Sequence, residues 1–210
     1  MRFSKRDDAN ATNQLPPRPL VATYTGTFDG NDGRWSTFWI NVGSDGKSNG
    51  QNFKVLISTS SPITLLPGEA AWCDQECAIE RGVDTINGKQ LRGLDQENNW
   101  KRFGTYDIPM PHWYTNNFLG SRNDTPGAVW GIQNVALDRA SPQANVIANR
   151  YVAGYTTRDP YIGSLGLAVG AASPGGGSKT TFLTELEAAR QPRLIASSSY
   201  GYTAGASYRE

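Results

Sequence analysis

The sequence predicts a mostly β domain, and three observations carry that prediction. Glycine (23 residues) and proline (12) are frequent enough to turn the chain repeatedly. Apolar residues fall in short segments of strand length, separated by polar, glycine-containing stretches. Only one stretch, Thr180 to Arg190, shows helical spacing. Leu, Ile, Val and Phe make up about 19% of the chain, close to the level at which disorder sets in. Disorder also needs high net charge and few aromatics, whereas this chain has a net charge of +1 and 10% aromatic residues. At 210 residues it is long enough to bury a core.

The elements follow in order. Residues 1–34 read as a flexible N-terminal arm, stiffened towards its end by Pro16, Pro17 and Pro19. Ser36 to Val42 and Asn52 to Ser58 read as strands, and Gly43 to Gly50, with Asp45-Gly46 and Asn49-Gly50, as the turn joining them into a hairpin. Ile63 to Leu66 is a further short strand before Pro67-Gly68, and Asp84 to Asn99 reads as loop. Ala128 to Leu137 and Val146 to Thr157 are strands parted by a turn at Ser141-Pro142, and Ile162 to Val169 is a buried run. In the late helix, Phe182, Leu183, Leu186 and Ala189 share one face and Pro192 stops it.

Composition excludes several functions. The near-neutral charge, with no Lys/Arg cluster, argues against nucleic acid as a partner. No apolar run approaches the length of a membrane span. His112 is the only histidine, so a Ser-His-Asp or Cys-His arrangement has a single candidate base, and no G-x-S-x-G occurs. Cys73, Cys77 and His112 are too few for an ordinary zinc site, and the sequence implies no metal and no cofactor. Gly175 to Gly177 reads as a flexible loop, since no phosphate-binding fingerprint surrounds it.

Lys5-Arg6 before Asp7-Asp8 reads either as a dibasic processing site or as part of a solvated arm. Cys73 and Cys77 are two buried thiols in a reducing compartment, or a small closed loop in an oxidising one. Asn10 (Asn-Ala-Thr) and Asn123 (Asn-Asp-Thr) are glycosylation acceptors in a secreted chain. Together with the cysteine pair, they point to an extracellular, cell-wall or cell-surface location.

Read in sequence, these pieces resemble the N-terminal lobe of the pepsin-like aspartic peptidases, particularly divergent fungal members. Trp35 to Val42 followed by Asn52 to Ile57 is similar to the hairpin entering the first active-site loop, and Ser58-Thr59-Ser60-Ser61 aligns with that family's Asp-Thr-Gly-Ser. Ala128 to Val135 resembles the returning strand of the flap, and Tyr161 to Ala168 the hydrophobic-hydrophobic-Gly element that braces the loop. Phe182 to Arg190 resembles the following helix, and Ser199 to Ala206 the strand that closes the lobe. The resemblance covers 35–210 and implies a small disulfide at Cys73 and Cys77. It also implies a second lobe outside this sequence, with that lobe or another chain covering a flank near Ser58, Leu165 and Tyr200.

Pepsin-like catalysis requires two carboxylates sharing a proton. Here Ser58 takes the aspartate position, Ser60 takes the glycine position, and no Asp-Thr-Gly or Asp-Ser-Gly occurs. Thr59 matches the family threonine that links the two loops. No Tyr-Gly marks a flap tip, which leaves Trp113, Tyr114 and Trp130 as candidates to line a cleft or to fill the core. Three readings follow. One is a secreted, catalytically inactive pseudo-peptidase that binds a peptide, glycan or protein. Another is an acid endopeptidase that needs a second lobe, and the third is an unrelated all-β adhesion or structural domain.

Overall fold

The computed structural model describes residues 20–31, 33–43, 50–84, 101–107, 127–139, 146–168, 171–172, 179–180, 182–188, 195, 197 and 199–201. The fold is mostly β. Strands β1 (Tyr24–Asp29), β2 (Trp35–Val42), β3 (Gln51–Ser58) and β4 (Thr64–Pro67) precede a short helix, α1 (Gln75–Glu80). Then come β5 (Lys101–Asp107), β6 (Gly127–Leu137), β7 (Val146–Tyr155) and β8 (Gly163–Gly166). A two-stranded ribbon of β9 (Ala171–Ala172) and β10 (Lys179–Thr180) leads into helix α2 (Phe182–Ala188).

The large sheet runs β1-β2-β3-β8-β4-β7-β6-β5, and a further pairing of β2 with β6 closes β2, β3, β8, β4, β7 and β6 into a barrel. Two strands make the closure possible. On one edge, β2 gives its first half to β1 (Phe38 opposite Tyr24) and its second half to β6 (Ile40 opposite Leu137, Val42 opposite Val135). β6 is eleven residues long and changes partner along its length, from β5 at Gly127 to Ile132 to β2 at Val135 to Leu137. An irregularity in its pairing with β7, between Gln133 and Val135, lies where that change occurs. The extra residue there is on β7, three steps from Ile147 to Arg150 against two on β6, and such a residue bends its strand and increases the local twist. The hairpin expected from Ser36 to Ser58 forms, with Phe38 opposite Val55 and Val42 opposite Gln51. Its turn residues 44–49 lie outside the described residues, as do residues 85–99, expected as loop, and the Ser141-Pro142 turn.

Alternation along the strands sorts the side chains into two apolar clusters. Ile40, Val42, Phe53, Val55, Val135 and Leu165 pack with α2 and with the segment around Cys73 and Ala78. Leu65, Ala128, Ala153 and Tyr155 form a smaller cluster on the other side. Leu65 and Leu66, adjacent in β4, therefore serve different clusters.

Several expectations are corrected. The folded sheet begins at Tyr24, inside the segment read as an arm, because β1 is pinned from its side chains. Thr25 Oγ1 lies 2.8 Å from Thr37 Oγ1, and the Tyr24 ring meets the Phe28 and Phe38 rings edge-on. Among the described residues there are two helices where the sequence predicts one late helix. α1 is too short to show periodicity and is built from its ends. Asp74 caps it by accepting from the Cys77 amide (2.9 Å), and Gly82, at φ +89°, ends it. A Cβ at Gly82 would also stand 2.5 Å from the Lys54 carbonyl, so glycine is required there twice over. α2 starts at Phe182, since Lys179 and Thr180 pair as a strand with Ala172 and Ala171. Phe182, Leu183 and Leu186 are buried as the spacing predicts. The run expected to be buried from Ile162 onward is buried at Ile162, Leu165 and Leu167, with Gly163–Gly166 forming β8, and Val169 lies outside the described residues. β5 lay in a stretch where no strand was expected. Ser199, Tyr200 and Gly201 form no strand, and the rest of the expected closing strand, to Ala206, lies outside the described residues.

Candidate functional site

The Ser58 loop hangs from the end of β3, and β8 holds it. β3 and β8 run parallel, with Val55 opposite Gly163 and Ser58 opposite Gly166. Just past β8, the Leu167 amide donates to the Ser58 carbonyl (2.8 Å) and the Ala168 amide to the Ser61 carbonyl (3.1 Å). Gly166 lets this happen. A Cβ there would run into the backbone of Pro62 and Ile63, so only glycine lets the loop lie this close. The Tyr161 to Ala168 segment thus lies against the loop.

Within the loop, the hydroxyls serve the backbone. Ser58 Oγ accepts from the Ser61 amide (3.2 Å) and lies 3.4 Å from Ser60 Oγ, while Ser61 Oγ accepts from the Ile63 amide (3.1 Å). Thr59 and Ser60 are exposed. Ser58 touches no imidazole, amine or carboxylate among the described residues, so nothing there raises its nucleophilicity or makes it a base. The loop offers hydroxyls and amides for hydrogen bonding, and no group for acid–base catalysis.

A second polar centre escaped the sequence reading. Arg81, just after α1, is 1% exposed. Its Nη2 donates to the Thr157 carbonyl (2.7 Å) and its Nε to the Tyr161 carbonyl (3.3 Å). Its guanidinium also lies over the rings of Trp72 (4.9 Å) and Tyr155 (5.1 Å). Arg158 covers Trp72 as well (5.1 Å), and Trp72 Nε1 donates to the Thr156 carbonyl (2.7 Å). Burial pushes the Tyr155 hydroxyl well above its ordinary pKa. Burial, together with the hydrogen bond to the Glu80 carboxylate (2.6 Å), pushes Tyr161 up to about 12. Arg81 therefore ties α1 to the segment that leads into β8, and through β8 to the Ser58 loop. Only the pairing of distant aromatic and carbonyl groups marks Arg81, and no local pattern contains that.

The opposite face of the same strands lines a cavity of about 710 Å³. Alternation directs Ile57 and Leu165 into it, and Ser58 and Ser164 away from it. Phe182, Leu183 and Leu186 of α2 form another wall. Leu20 to Ala22 with Tyr24, and Ser197, Ser199, Tyr200 and Gly201, also border it. Leu165 is buried (1% exposed) in the main apolar cluster and lines the cavity. Tyr200, at 42% exposed, stands open at the rim.

Cys73 and Cys77 form a disulfide with their Cα atoms 5.3 Å apart, and Cys73 packs into the main cluster. Trp130 stands in β6 opposite Gly104 and Ala153. Trp113, Tyr114, His112, Asn10 and Asn123 lie outside the described residues. Among the described residues, no group of His, Cys, Asp or Glu could hold a metal ion, and no helix is long and apolar enough to cross a membrane. No model of a known protein family matches the chain, and no characterised protein matches it in sequence.

Proposed function

We propose that this chain is a pepsin-like lobe that has kept the active-site loop as a binding surface and lost the catalysis. One observation supports this above the others: the Ser58–Ser61 loop is held by the Leu167 and Ala168 amides and carries hydroxyls where catalysis needs a carboxylate. A loop held this way, with Thr59 and Ser60 exposed, suits hydrogen bonding to an extended peptide. The Cys73–Cys77 disulfide favours an oxidising, extracellular setting for that peptide.

The test is turnover and binding measured side by side. The full chain should bind members of a peptide library without cleaving them at about pH 3 to 5, the range in which carboxylate dyads work. Pepstatin-sensitive cleavage would overturn the reading, and so would binding to a glycan array in place of peptides. Ser60→Gly, which removes an exposed loop hydroxyl, should weaken peptide binding about fivefold if the loop is the binding surface.

A further inference from the structure

We infer that the cavity between α2 and the β3–β8 face is a binding site for a neutral aliphatic amphiphile, independent of the Ser58 loop. Its volume of about 710 Å³ lies inside the range of small-molecule sites, roughly 300–1,000 Å³. Its walls come from rigid elements. Ile57, Leu165 and Leu167 stand on or beside paired strands, and Phe182, Leu183 and Leu186 on the helix. No charged side chain lines it among the described residues, so an ionised head group would lose its water and find no counter-charge among them.

Two of the polar lining groups lie together. Ser197 Oγ and Ser199 Oγ lie 2.7 Å apart, either able to donate, both on exposed residues beside Tyr200. A hydroxyl head placed there gains partners at the rim while its chain lies among leucines. An aliphatic body fits better than a flat aromatic one, because branched aliphatic side chains make up most of the walls. The Ser58 hydroxyl points to the other side of β3, so a peptide on that loop and an amphiphile in the cavity do not compete directly.

The experiment uses the full chain and a neutral fluorescent probe, N-phenyl-1-naphthylamine, displaced by 1-dodecanol, dodecane or dodecanoate. One saturable site is expected. Dodecanol should displace the probe at about tenfold lower concentration than dodecanoate at about pH 8, where the carboxylate is ionised. Ala22→Trp adds bulk to the wall without removing a core side chain and should weaken probe binding about tenfold. Thr184→Trp, on the exposed side of α2, should leave it unchanged. Replacing Ser197 and Ser199 together by Ala, at exposed positions that tolerate it, should narrow the preference for dodecanol over dodecane about threefold.

Absence of saturable binding overturns the inference, as does equal displacement by dodecanol and dodecanoate. Unchanged probe affinity in Ala22→Trp overturns it too, or, if that variant does not fold, an unchanged dodecanol preference in the double serine variant. Probe release that tracks self-association as chain concentration rises would make the cavity an interface between copies, and would also overturn it. Peptide binding at the Ser58 loop is read separately, so failure here leaves the proposed function standing, and the converse holds.

Discussion

Arg81 and Lys54 are both cations stacked on tryptophan, yet the molecule uses them differently. Arg81 is buried, with no carboxylate partner among the described residues. Its charge is spread over two carbonyls and two aromatic faces. Lys54 is partly exposed. It pairs with Asp29 (2.9 Å), donates to Thr27 Oγ1 (2.9 Å), and lies over Trp39 (5.8 Å). Arg81 anchors the segment that leads to the Ser58 loop, and Lys54 anchors β1, which continues from one border of the apolar cavity. Burial makes the first anchor costly to break, while water nearby makes the second replaceable.

Breaking the buried anchor should have the largest effect. Arg81→Ala leaves two carbonyls without their donors and opens space between two rings, for a loss of about 3 kcal/mol in urea denaturation. Arg81→Lys should recover less than half of it, because an ammonium cannot span both carbonyls in the plane of the guanidinium. A loss below about 1 kcal/mol would remove the distinction between the two anchors.

The disulfide next to Arg81 comes second. It closes a loop of only a few residues, so the chain-entropy estimate for Cys73→Ser with Cys77→Ser is about 2 kcal/mol. Calorimetry of that variant should show the whole domain unfolding earlier in one transition. A separate early transition would mean that α1 is a local appendage.

Asp29 is a smaller lever, and pH reads it. Burial works to raise its pKa, but hydrogen bonds from Thr37, Lys54 and Thr27, with the Lys54 charge, outweigh that and hold it below the usual carboxylate value. The folded pKa therefore lies below the unfolded one. The stabilisation is complete above about pH 5 and is lost as pH falls through the folded value. For a partly exposed pair this amounts to about 1 kcal/mol. Denaturation from about pH 5 down to about pH 2 should fall more steeply for the wild type than for Asp29→Asn. Equal slopes would show that Lys54 holds β1 through Thr27 alone.

Ser58→Ala should do least to stability. It removes one amide acceptor in a loop that keeps both backbone bonds from β8, a loss of about 0.5 kcal/mol. A fall as large as that of Arg81→Ala would show that the loop hydroxyl, not the β8 amides, holds the turn.

Much of the scaffold was readable along the chain. β2, β3, β6 and β7 alternate or run apolar at strand length, and the Phe182, Leu183, Leu186 stripe predicts α2, because period is a local property. β1 was missed because its strand character is carried by Tyr24, Phe28 and threonines that look solvated until Thr37 and Lys54 meet them. α1 was missed because six residues cannot show a helical period. At the site, the lack of a carboxylate in the Ser58–Ser61 loop was legible. Arg81 and the cavity were not, since both depend on residues far apart in sequence.

The sequence by itself determined the β character, the strands of the central hairpin, the late helix and the chemical poverty of the Ser58 loop. These rest on residue type and spacing over a few positions. Tertiary structure alone decided that β2 meets β6 to close a barrel, that Cys73 joins Cys77, that an arginine is buried between two rings, and that one face of β3 looks onto a cavity while the other carries Ser58. Each of those depends on which distant segments come together, and a strand's pattern states which side of it is apolar without naming what will cover it.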